Sequence, residues 1–188
     1  MEPVAFNARD ALLLALYETH PFMIRAAIVG GGRRTVATNL QMLLNSVFHG
    51  VSFVITGSGT GRQEALCVEW LEGPRTSAVR DFCRRFQNTE LGREGEPIAK
   101  PHDAWREAFG SVAYVATKRG YTDDAIDYAI AVLEQRLGPG FAALRATPNK
   151  LRNRSLDRTM IHMPRVGVIA AANAIYGVLE QTHWETAR

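Results

Sequence analysis

Leu12, Leu13, Leu16 and Tyr17 recur at the three- and four-residue spacing of one helix face, which predicts a helix over residues 7–18. Asn7 or Asp10 is placed to cap it, and Pro21 ends it. The run 22–29 is apolar apart from Arg25. Its short length and the glycines behind it predict a strand buried on both faces. Helical period returns at Val36, Leu40, Leu43, Leu44 and Val47, so residues 35–48 are expected to be helical, closed by His49-Gly50. Residues 51–56 are β-branched and aromatic and predict a second strand. A glycine loop, Gly57-Ser58-Gly59-Thr60-Gly61, leads from it into an expected helix over 63–71, which Gly73-Pro74 breaks.

A further helix is expected over 76–86, and the polar, glycine- and charge-rich stretch 87–101 reads as a loop or linker. Asp103 can cap a helix over 104–109, and residues 112–118 fit either helix or strand. Thr122-Asp123-Asp124 caps an amphipathic helix to Leu137, with Ile126, Ala129, Ile130 and Leu133 on one face. Residues 146–164 are basic and irregular, and 166–184 predict a closing helix. The pattern thus gives an α/β core over 1–86 and a helical extension over 102–188 packed on it, together one domain. It holds no internal repeat and no low-complexity tract.

Composition changes this picture little. The 188 residues are 46% hydrophobic and 22% charged, enough for a real core and against wholesale disorder. The formal net charge is +3 and the isoelectric point about 9.1, a weak lean towards an anionic partner. The two cysteines, Cys67 and Cys83, form no CxxC pair, so a reducing cytoplasm is the expected setting. The apolar stretch 166–179 is too short for a membrane span, which needs about 20 residues.

The candidate chemistry centres on Gly30-Gly31-Gly32-Arg33-Arg34-Thr35. Glycines let the backbone approach a ligand, the first amides of the next helix lack intrahelical partners, and the helix dipole adds positive charge. Anions bind at such places. Two guanidinium groups and a hydroxyl strengthen the case for phosphate, although a tight turn with two solvated arginines also fits. The loop is neither GxxxxGK[ST] nor GxGxxG.

Gly31-Gly32-Arg33-Arg34-Thr35-Val36-Ala37 resembles the GxRRxxA box of the ParB/sulfiredoxin-like superfamily. The surroundings are similar in order: a preceding amphipathic helix at 8–19, His20-Pro21-Phe22-Met23-Ile24 for the QPI-type segment, then a helix and the strand 51–55. Glu64-Ala65-Leu66-Cys67-Val68-Glu69-Trp70-Leu71 resembles the opening of its ENxxR helix, with Glu69 in the acidic place. The chain departs from the pattern where Trp70 replaces the asparagine, where Gly32 replaces an often acidic residue, and where the hairpin before the box is missing. The resemblance covers 8–86 and extends to the small Osa-like plasmid fertility-inhibition type. It implies a mixed small sheet with flanking helices, nucleotide binding and hydrolysis, DNA binding and, in some members, DNA cleavage.

On that basis Gly30, Gly31, Gly32, Arg33, Arg34 and Thr35 are expected to bind ATP or another nucleoside triphosphate. Arg33 and Arg34 would clamp phosphates, and Glu69 would carry Mg²⁺ or position water. On a helix, Glu69 and Glu72 would share a face with Glu64 nearby; a solvated acidic face also fits. The loop 57–61 offers a second phosphate loop or an ordinary surface loop. Arg145, Lys150, Arg152, Arg154 and Arg158, with Arg165 beyond, form either a DNA-backbone contact or a solvated basic face. His20 is the histidine nearest the turn in sequence; it could orient a nucleotide, but a structural role fits it better. The expected function is an ATP-hydrolysing, DNA-acting protein, a DNase, that blocks conjugative or related DNA transfer and meets parts of a DNA-transfer secretion system. The alternatives are a DNA-binding regulator without catalysis and an inhibitor that docks on a transfer apparatus.

Overall fold

The computed structural model describes residues 7–94, 96–138, 160–163 and 167–182. These form a mixed α/β chain of helices and small sheets, divided into two compact units. Of the described residues, the first takes in those from 7 to 70 and from 76 to 118; the second takes in 71–75 and those from 119 to 182.

In the first unit, helices α1 (Ala8–Thr19), α2 (Ala26–Val29) and α3 (Arg33–Val47) precede a hairpin of β1 (Phe53–Ser58) and β2 (Ala65–Leu71). Helix α4 (Thr76–Cys83), a second hairpin of β3 (Thr89–Leu91) and β4 (Pro97–Ala99), helix α5 (Ala104–Phe109) and strand β5 (Tyr114–Gly120) follow. The main sheet has the order β1-β2-β5, with β1 and β2 antiparallel from Phe53 opposite Trp70 to Ser58 opposite Ala65. Its core joins Val36, Leu40, Leu43 and Leu44 of α3 to Leu66, Val68 and Trp70 of β2, with Val79, Phe86 and Phe109. Each such side chain contributes roughly 1.5–3 kcal/mol through burial.

The expected caps are in place. Asn7 accepts the Asp10 N–H at 2.9 Å, Asp103 that of Arg106 at 2.9 Å, and Thr122 that of Ala125 at 3.3 Å.

Four expectations are corrected. Residues 22–29 are not a buried strand but a turn followed by α2. Of their apolar side chains Met23 is buried, while Ile28 is 74% exposed. The polar partner at Ile24 is the Asn39 side chain, which accepts its N–H at 2.6 Å and donates to its carbonyl at 2.8 Å. Apolar composition was read as burial there, and apart from Met23 much of it is surface. Residues 63–71 are not a helix. Leu66, Val68 and Trp70 are buried in alternation with Ala65, Cys67 and Glu69, the period of a strand with one face on a core. The glycine loop 57–61 therefore closes a hairpin: Gly57 and Ser58 lie in β1, and a 3₁₀ turn at Gly61–Gln63 leads into β2. The stretch 87–101 is no plain linker, since it carries the β3–β4 hairpin.

The part beyond residue 102 is not wholly helical either. In the second unit, helix α6 (Asp123–Leu137) is followed by the antiparallel strands β6 (Met160–Met163) and β7 (Gly167–Ala170) and helix α7 (Ala171–Gln181). Ala125, Ala129, Ile130 and Leu133 of α6 share a core with Ala171, Ala174, Ile175 and Leu179 of α7. No helix among the described residues is long and apolar enough to cross a membrane.

Candidate phosphate-binding turn

Three glycines shape the start of α3, each for a different reason. Gly30 ends α2 at φ 87°, which favours glycine, and its N–H donates to the Ala26 carbonyl at 2.8 Å. Gly31 lies against Gly110: a Cβ on Gly31 would sit 3.1 Å from Gly110 Cα, and the Ser111 N–H donates to the Gly31 carbonyl at 3.1 Å. Gly32 is the N-cap of α3, and a Cβ on it would meet Glu64 Oε2 at 3.9 Å, an ordinary contact. The Thr35 hydroxyl donates back to the Gly30 carbonyl at 2.7 Å, which fixes the turn from inside the helix.

The two arginines differ. Arg33 is half-buried and lies across β1, where a Cβ on Gly57 would come within 2.7 Å of its Cδ. Its Nη1 donates to the Gly59 carbonyl at 2.6 Å. Arg34 is exposed. The carboxylate that reaches the turn is Glu64, whose Oε2 accepts the Arg33 backbone N–H at 3.2 Å.

These groups surround a depression of about 320 Å³, lined by Val29, Gly30, Gly32, Arg33, Arg34, Thr35 and Glu64. Two guanidinium charges and the positive helix end face one carboxylate, so the depression favours an anion on balance. Five of the six residues expected to bind nucleotide line it; Gly31 instead makes the contact with Gly110.

Glu69 does not join them. It lies on the outer face of β2 opposite Val54, and Lys118 Nζ donates to its Oε1 at 3.0 Å. It lies five positions along the chain from Glu64, about 16 Å at 3.3 Å per step. An ion-paired carboxylate at that distance does not fit a metal at the turn. Glu64 fits better, because Mg²⁺ needs only one or two carboxylates besides substrate phosphates and water. The strand alternation of β2 was the signal that would have separated the two glutamates.

His20 stacks edge-on to Trp105 with centroids 5.0 Å apart, within an aromatic cluster that includes Phe109, and does not line the depression. The loop 57–61 meets the turn through the Gly59 carbonyl held by Arg33. Arg145, Lys150, Arg152, Arg154, Arg158 and Arg165 lie outside the described residues.

Residues 32–122, just under half of the chain, match a family model described as large polyvalent protein associated domain 29. The match begins at the N-cap of α3 and spans Arg33, Arg34 and Glu64. No curated protein and no solved structure matches the chain.

Proposed function

We propose that the chain binds a nucleoside triphosphate through its phosphates at the turn 30–34, with Mg²⁺ held by Glu64, and acts on DNA in the cytoplasm. The observation that carries this reading is the depression itself, which Arg33, Arg34 and Glu64 line at the start of α3. In-line transfer at phosphorus needs charge neutralisation and placement more than covalent help. Arg34 is free to follow a phosphate, Arg33 holds the turn against the hairpin, and Glu64 stands where a phosphate-bound cation would sit. The resemblance to the ParB/sulfiredoxin-like superfamily extends the reading to ATP hydrolysis, DNA cleavage and a block on conjugative transfer, the activity of Osa-like proteins.

A second reading rests on one specific contact. Glu64 already supplies an anion to the helix end, so the turn is complete without a ligand. The chain would then be a DNA-binding regulator or a docking inhibitor that keeps the fold and not the catalysis.

The separating experiment is equilibrium binding of ATP with and without Mg²⁺, followed by turnover, on the full chain and on R33A/R34A. Binding lost in the double variant, with turnover in wild type, supports the enzyme. No binding to wild type removes the nucleotide reading altogether.

A further inference from the structure

We propose that the open edge of β5 receives an extended acidic segment of another protein as an added strand. The edge begins with one finished rung. The Val112 N–H donates to the Phe86 carbonyl at 2.9 Å, and the Asn88 N–H donates to the Val112 carbonyl at 2.9 Å, a parallel bridge centred on Gln87. The chain after Asn88 then leaves to form the β3–β4 hairpin. In extended backbone the groups point alternately to either side, so Tyr114 and Ala116 face the same way as Val112. The N–H of Ala113, between them, points inward and donates to the Glu64 carbonyl at 2.8 Å, while its carbonyl accepts the Thr89 hydroxyl at 2.5 Å. Among the described residues the sheet ends at β5 and no strand continues the rung that Val112 starts.

A groove of about 800 Å³ runs along this edge, with residues 114–117 on one side. Arg80, Arg84 and Lys100 line it against a single acid, Glu90. Arg84 stands 3.8 Å from Asp81, both exposed, a weak pair. Among the described residues Arg80 and Lys100 have no carboxylate within ion-pair distance. An unpaired edge is a template for another strand. The cations select which strand: a second copy paired edge to edge would set Arg80, Arg84 and Lys100 against their like, while an acidic strand would neutralise them. A nucleic acid would meet the charges but offers no row of amides and carbonyls at strand spacing. Strand addition uses both features, main-chain bonds for affinity and side chains for choice.

The test is fluorescence anisotropy of the full chain with a labelled peptide of alternating valine and glutamate, beside valine–lysine and oligothymidylate probes. The acidic peptide is expected to bind and to protect the Tyr114 and Ala116 amides from hydrogen exchange. R80E/R84E changes two exposed side chains, and circular dichroism checks its fold; it is expected to weaken binding roughly tenfold. Methylating alternate peptide nitrogens on the pairing edge is expected to abolish binding, and on the opposite edge to spare it. R33A/R34A is expected to bind the peptide like wild type, which separates this site from the turn. Failure of the acidic peptide to bind, equal tolerance of both methylation patterns, or displacement of the peptide by oligothymidylate would overturn the proposal.

Discussion

The Glu64 carboxylate accepts the backbone N–H of Arg33 at 3.2 Å, so a residue 31 positions along the chain supplies the anion at the start of α3. That contact makes nucleotide binding depend on Mg²⁺ in a way that can be read by sign. Without metal, Glu64 repels phosphate. E64Q should then raise ATP affinity several-fold, as expected for about 1 kcal/mol of like-charge repulsion screened by water. With Mg²⁺ present, the same variant should lower affinity, because the carboxylate that shares the cation is gone. Calorimetric titrations in EDTA and in Mg²⁺ give both signs. The same sign in both buffers would remove Glu64 from any metal role.

Gly110 and Gly30 are each at positive φ, 90° and 87°, yet they should differ in their response to alanine. A Cβ at Gly30 meets nothing within 4 Å, whereas one at Gly110 would come within 2.6 Å of the Gly31 carbonyl oxygen. G30A should cost only the backbone strain, about 1–2 kcal/mol. G110A should cost that plus the clash, about 3 kcal/mol or more, and should displace the turn as well. Urea unfolding compares the two, and ATP binding by a still-folded G110A shows whether Gly31 sets the site geometry.

The helices were legible because their signals are local: Asn7, Asp103 and Thr122 cap where capping residues precede apolar period. The turn was legible for the same reason, as glycines before a helix. What sequence hid was partnership. Residues 63–71 hold alternating Leu66, Val68 and Trp70, but the glycine loop before them and the likeness to an ENxxR helix pointed to a helix, and the strand became decisive only beside β1. The run 22–29 looked like a core strand because nothing local shows that Asn39 would bond Ile24 from another element. The Glu64–Arg33 contact depends on the hairpin, so misreading β2 also hid the carboxylate at the site.

Acid should weaken the first unit through Asp103. Burial disfavours its charge, but hydrogen bonds from the Arg106 side chain and backbone N–H, with the Arg106 charge, outweigh that and hold its pKa below the ordinary value of 3.8. Its carboxylate accepts Arg106 Nη2 at 2.8 Å, while Arg106 Nη1 also donates to the Gln87 carbonyl at 3.2 Å. A group whose pKa is lower folded than unfolded stabilises above the unfolded value, and that contribution is lost as pH falls through the folded one. Stability should therefore decline below about pH 4. D103N should lower stability at neutral pH and flatten that decline. Unfolding followed at a series of pH values checks both, and an unchanged slope in D103N would assign the acid response elsewhere.

Arg119 should be the most sensitive single residue of the second unit. Its guanidinium, fully buried, donates to the carbonyls of Gly73 at 2.7 Å, Leu179 at 3.1 Å, Thr182 at 3.2 Å and Glu72 at 3.3 Å. It thereby closes the end of α7 and fixes the segment 71–75, where Glu72 itself stands at φ 54°. The planar fork reaches four acceptors at once, which one ammonium on a flexible stem does not reproduce. R119M keeps the length and removes every donor, leaving carbonyls unpaired, and should cost about 3 kcal/mol or more. R119K should recover only a minor part, since it restores a charge without the fork. Native-state hydrogen exchange at Ile130 and Leu133 reports the α6–α7 core, and at Leu40 and Leu44 the α3 core. Protection should fall in the former pair and hold in the latter. Full rescue by lysine would mean that charge, with the Glu180 carboxylate 4.0 Å away, and not the carbonyl network, is what Arg119 supplies.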